Sequence, residues 1–108
     1  MSTWNVILTD EAQKDIRGIY DYIANTYLLS DVAAKQVKRI LDTIHSLEFM
    51  PLRYQLYEKE PWHSRGLRSV RVNNYLIFYI PVEEVNEVVI FHVFYAGRDI
   101  QKLLDELL

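Results

Sequence analysis

The chain has no cysteine, so disulfides, thiolate metal sites and cysteine nucleophiles are all excluded. Its stability must come from a packed core, which 108 residues are enough to build. No apolar run approaches the roughly 20 residues that span a bilayer. The opening MSTWNVILTDEA has no basic stretch leading into an apolar one, so no secretion signal is expected. These absences predict one soluble domain, residues 1–108, in a reducing cytoplasm, with no membrane contact. Basic excess is missing too: 12 Lys and Arg face 15 Asp and Glu, a net charge of −3. That argues against a general nucleic-acid binder, whose affinity rests on neutralising phosphates.

Glycine and proline are scarce, three of each, and they punctuate what is present. The densest stretch is Gly66 to Ile100. Leu67 to Val72 alternates imperfectly, with Arg68, Ser69 and Arg71 set among apolar residues. Asn73-Asn74 tolerates the positive φ of a tight hairpin. Tyr75 to Ile80 is apolar and aromatic throughout, which predicts a central strand buried on both faces. Pro81 is expected to end it. Glu83, Glu84 and Asn86 make a polar turn, Val88 to Tyr95 a third strand, and Gly97 a break before a short C-terminal helix.

Upstream, Trp4 to Leu8 reads as a strand. Thr9 or Asp10 then caps a helix, Gln13 standing in capping-box spacing from Asp10. Ala12, Ile16, Ile19, Tyr20, Ile23 and Tyr27 form its apolar stripe. Gly18 interrupts that helix and is expected to mark a close helix crossing. Ser30-Asp31 caps a second helix, with Ala33, Val37, Ile40, Leu41, Ile44 and Leu47 inward and Pro51 terminating it. The short link makes the pair an antiparallel hairpin. Residues 51–66 show no period and predict a loop or weak strand. The fold class is therefore α+β: an N-terminal strand, a helical hairpin packed on an antiparallel sheet with a three-stranded meander, and a terminal helix.

Charge is unevenly placed. Between Pro61 and Val82 stand Arg65, Arg68 and Arg71 and no acid, which marks either a solvated basic face or a site for an acidic partner. Arg68 and Arg71 are three apart on a strand and should point to opposite faces. Arg71 is the one expected to share a face with Arg98. Leu28 and Leu29 in the interhelical turn, and Tyr54, Leu56, Tyr57 and Trp62 in the loop, are either exposed apolar contacts for a partner or residues that fold back onto the core. His45 lies near a helix end, where a cation suits the dipole. His92, in an apolar strand, reads as a packed histidine, and His63 as a loop histidine.

The helical hairpin, Gly66-Leu67-Arg68-Ser69, the Tyr75–Tyr79 strand, the acidic turn and Gly97-Arg98-Asp99-Ile100 together resemble the RelE/ParE toxin superfamily. Ile19-Tyr20-Asp21-Tyr22-Ile23-Ala24 adds to the likeness. These are the toxin halves of bacterial type II toxin–antitoxin modules, and the resemblance spans essentially the whole chain. It implies a cognate antitoxin that folds over exposed apolar grooves, and no cofactor or metal.

The superfamily divides into two activities. The RelE-like branch implies ribosome-dependent cleavage of messenger RNA, which needs a base, an acid and cations at the scissile phosphate. Arg68, Arg71 and Arg98 match its basic positions. The arginine expected after the opening aromatic of the second meander strand is replaced by Leu76. The tyrosine of the terminal helix is missing from Gln101 to Leu104, leaving Tyr95 as a substitute only if the site has shifted. A related arrangement would draw on Glu58 or Glu60, Arg65 or Arg68, and His63 or His92. The ParE-like branch implies poisoning of DNA gyrase by binding alone, and the GLRS and GRDI segments look most like it. The favoured expectation is a ParE-like gyrase inhibitor with no catalytic residue and a partner surface of Trp62, Arg68, Arg71, Tyr95 and Arg98. The alternatives are a RelE-like ribonuclease using His63, Arg68, Arg71, Tyr95 and Arg98 on the ribosome, and a non-toxic module that only binds an antitoxin.

Overall fold

A computed structural model describes residues 3–107. Strand β1 (Asn5–Leu8) leads into helix α1 (Asp10–Thr26), which turns back into α2 (Ser30–Ser46). A 3₁₀ turn at Pro51–Arg53 and a long connection precede β2 (Arg68–Val72), β3 (Tyr75–Val82) and β4 (Glu87–Tyr95), and α3 (Ile100–Asp105) follows. The strand order is β1-β4-β3-β2. The meander is antiparallel, and β1 joins it parallel to β4, so the sheet is mixed.

The helical hairpin covers one face. Ala12 and Ile16 of α1 and Ile40, Ile44 and Leu47 of α2 and its end pack on Val70, Val72, Ile77, Tyr79, Val88, Ile90 and Val93. A second, smaller cluster fills the other face: Leu67, Phe78 and Phe94 lie under Trp62 of the long connection and Leu104 of α3. In β4 the inward residues change parity between Ile90 and Val93 because the register skips Phe91, which has no partner on β3. That bulge moves His92 and Phe94 to the face away from the hairpin.

Several local expectations need correction. Thr9 is the N-cap of α1, its hydroxyl accepting from Ala12 N at 3.1 Å, so the capping box at Asp10 does not form. Gln13 instead donates to the Leu8 carbonyl. Helix α2 starts at Ser30 after Leu29 and has no side-chain cap, contrary to the Ser30-Asp31 assignment. Leu41 is exposed and Gln36 is buried in its place, donating to Asn73 Oδ1. Tyr20 and Tyr27 leave the α1 stripe for solvent. Strand β3 runs through Pro81 to Val82, because β2 begins only at Arg68, opposite Tyr79, and never pairs with the proline.

Gly18 marks no helix crossing, since a Cβ there would meet nothing within 4 Å. Gly18→Ala should therefore raise stability by about 0.5–1 kcal/mol in a urea titration, by removing backbone freedom from the unfolded chain.

Tyr79 gives a pH-dependent test. Its side chain is fully buried and its hydroxyl donates to Pro51 O at 2.7 Å. Burial pushes the phenol up to about 12, against a smaller opposing effect of Arg68 and Arg53. The unfolded phenol ionises near pH 10 while the folded one stays protonated, so the stabilisation is whole below pH 10. It is lost as pH rises towards 12, by about 2–3 kcal/mol. In Tyr79→Phe, stability should be lower at neutral pH by about 1–3 kcal/mol, the cost of stranding a buried carbonyl. That part of the alkaline slope should disappear.

Candidate partner-binding face

The outer face of the sheet, near the β2–β3 turn, is built from a row of cross-strand partners. Arg71 on β2 stands opposite Leu76 on β3, and Leu76 stands opposite Phe94 on β4. Arg71 is exposed, and its Nε donates to Asn73 O at 2.8 Å. Arg98 lies past the end of β4, its guanidinium carbon 5.7 Å from the centre of the Phe94 ring. The Arg98 N–H donates to Tyr95 O at 3.1 Å and closes a tight turn. Among the described residues neither arginine forms a salt bridge. A Cβ on Gly97 would lie 2.4 Å from Cε2 of Tyr95, so a larger residue there would displace that exposed ring.

Arg68 points the other way and does different work. Its Nη1 donates to the carbonyls of Leu52 and Tyr54 and holds the 3₁₀ segment against the sheet. This separates it from the partner surface assigned to it by its sequence position. Trp62 also leaves that surface: it is 8% exposed and belongs to the outer-face core, with the Arg65 guanidinium stacked 5.1 Å from its ring. Tyr54, Leu56 and Tyr57 are half-buried rather than exposed. The Tyr57 hydroxyl is tied to Gln101 Oε1 at 2.6 Å, which anchors the long connection to α3.

His63 Nδ1 lies 2.8 Å from Tyr57 O, within its own loop. His45 pairs with Glu48 one turn on, at 3.0 Å. Among the described residues, no side-chain hydrogen bond joins His63, Arg68, Arg71, Tyr95 and Arg98 to one another. Nor does any group of three His, Asp or Glu there make a metal cage. Glu60 is engaged by Ser64, whose N–H and hydroxyl both donate to it and hold its carboxyl below the usual range.

Sequence reading missed most of the apolar patch that flanks this rim. Leu28 is 85% exposed at φ +54, a backbone region that leucine enters at a cost. Leu29, Val32, Tyr22 and Tyr27 are exposed around it. Tyr22 packs edge-on against Tyr27 with ring centres 5.9 Å apart, and Tyr75 against Tyr95 at 6.0 Å. The two pairs are neighbours. The Tyr75 phenol is raised first by burial, then by Tyr95 and Tyr27. The signal available in the sequence was the four tyrosines themselves, three of them at element ends, but it needed the fold to bring them together.

A sheet with a helical hairpin on one face and a short terminal helix on the other is shared with several solved toxins. The P. aeruginosa chromosomal ParDE system gives a TM-score of 0.72 at 17% identity, covering 88% of this chain and 98% of that one. The Mycobacterium tuberculosis RelBE2 toxin–antitoxin complex gives 0.64 at 21% identity, over 86% and 98%. An E. coli RelE mutant in the free state also gives 0.64, at 12% identity, over 98% and 99%. No curated sequence matches. Residues 6–100 match the family described as the ParE toxin of the type II toxin-antitoxin system, parDE, and the chain belongs to that family.

The two strand arginines should separate cleanly on substitution. Arg71→Ala should change unfolding free energy by less than about 0.5 kcal/mol, as an exposed charge contributes little. Arg68→Ala should cost about 2–3 kcal/mol, because it strips a charged donor from two carbonyls. Urea unfolding of both variants checks this.

Proposed function

We propose that this chain is the toxin of a type II toxin–antitoxin module, that it works in the cytoplasm, and that it acts by binding DNA gyrase rather than by cleaving RNA. Family membership over residues 6–100 supports the toxin assignment. The observation that carries the mode of action is the setting of Arg98. It is an exposed cation resting on an aromatic ring at the rim of the sheet, with no hydrogen-bonded acid or base beside it among the described residues. Such an arginine suits a binding contact, where aromatics and arginines dominate the energy. A nuclease needs more, namely proton donors and acceptors within hydrogen-bond reach of the reacting oxygens.

An antitoxin is the second partner. The similar solved structures include toxin–antitoxin complexes, and the patch of Tyr22, Tyr27, Leu28, Leu29 and Val32 offers apolar area for a segment that folds on binding. The ribonuclease reading retains one favouring observation, the similarity of shape to RelE over 98% of this chain.

Purified protein should inhibit gyrase supercoiling and leave messenger RNA intact on translating ribosomes. Arg98→Ala should weaken that inhibition between about 5- and 150-fold, the range of one binding hot spot, while the melting temperature moves by only a few degrees. Cleavage of messenger at codon-spaced positions, lost in Arg98→Ala, would replace gyrase by the ribosome as the target.

A further inference from the structure

Arg98 is exposed, yet the ring beneath it is held with unusual completeness. Phe94 is 7% exposed. Its ring lies 5.8 Å from Phe78 and is stacked on His92 at 4.7 Å, with only 19° between the planes. His92 is itself fixed: its Nδ1 lies 2.8 Å from Asp15 Oδ2 on α1. The same oxygen accepts the backbone N–H of Val93 at 3.0 Å. A carboxylate can only accept, so the His92 proton facing it must sit on Nδ1. Both side chains are largely buried, His92 at 14% and Asp15 at 24% exposure. Neither could contribute more than a small edge to a partner.

We propose that Asp15 and His92 are positioning residues for Arg98. Asp15 sets the plane of the His92 ring, His92 sets the plane of Phe94, and Phe94 is the surface on which the guanidinium rests. An arginine stacked on a fixed ring loses less freedom on binding than one swinging in water. The proposal rests on the reading of Arg98 as a partner contact, but the arrangement can be read without any partner.

The first measurement is NMR on the full chain. In the wild-type protein the Arg98 side-chain protons should carry an upfield ring-current shift from Phe94. Asp15→Ala and His92→Ala should lose it. Asp15→Asn should keep it, because the amide oxygen can still accept from both donors. Should Asp15→Ala unfold, His92→Ala carries the test, since it leaves the Val93 N–H bond in place. Persistence of the shift in His92→Ala overturns the proposal, whatever the target of the toxin.

The second measurement is a double-mutant cycle on gyrase supercoiling, using purified gyrase and relaxed plasmid. Arg98→Ala and His92→Ala should each weaken inhibition by about fivefold or more, and the double variant should be no worse than Arg98→Ala alone. A purely structural role for His92 would instead give multiplied losses, and that result overturns the proposal. If wild-type protein leaves gyrase untouched while the ring-current shift is still lost in His92→Ala, positioning stands and gyrase as target falls.

Discussion

The rest of the structure depends on how α1 finishes the sheet along β4. Strand β1 pairs with β4 only from Glu87 to Ile90, and beyond that point the edge would show bare amides and carbonyls. Helix α1 takes them up in order. Thr9 N donates to Ile90 O and its hydroxyl to Phe91 O, while Asp15 accepts from Val93 N. These groups lie at and beside the bulge, past the end of the β1 ladder, where β1 supplies no partner. Because the helix supplies partners there, the register can skip Phe91. Because it skips, Val93 faces the hairpin core while His92 and Phe94 face away. The seat of Arg98 is thus a consequence of where α1 begins.

The opposite end of the sheet is organised by two donors that look unrelated in the sequence. Tyr79 reaches Pro51 O from the middle of β3, and Arg68 reaches Leu52 O and Tyr54 O from the start of β2. Together they satisfy three successive or near-successive carbonyls of a segment that has no ladder of its own. This fixes the start of the aperiodic stretch, and the Leu56–Arg68 bridge and the Tyr57 bonds to Leu67 O and Gln101 carry it on. It also divides the arginines by role. Arg68 and Arg53 hold carbonyls of the connecting segment, Arg65 lies on Trp62, and Arg71 and Arg98 are exposed near the outer rim, each on a contact of its own.

The major elements were legible because their signals are local. Helical periodicity identified α1 and α2, and the Asn73-Asn74 turn and apolar runs identified the meander. The residues that resisted reading are those whose roles come from distant partners. Nothing near Phe91 announces a bulge, since its cause is Thr9 and Asp15, more than 75 positions away. Asp15 itself looked like one more charge on a helix face. Trp62 sits in a polar loop, where its sequence leaves exposure and core packing equally open, and the outer face of the sheet has its own core that takes the indole as a lid. Pro81 read as a strand terminator because the length of β2 is not written beside it. The same non-locality hid the tyrosine group at the hairpin tip.

The row Arg71–Leu76–Phe94 bears on what this face can do. Adjacent strands are about 4.8 Å apart, so the backbones of Arg71 and Phe94 are separated by about 10 Å. Leu76 fills the place between them. Arg71 is turned back to the Asn73 carbonyl and Arg98 is seated on Phe94, so each cation is held over its own strand. In these positions the two cations stand apart across an apolar residue. The charge they present is local: at physiological ionic strength fields fade within about 8 Å, so a chain of net charge −3 can still offer a basic grip at this rim. Leu76 stands where the nuclease pattern places an arginine, and it puts an apolar side chain between the two cations of this rim.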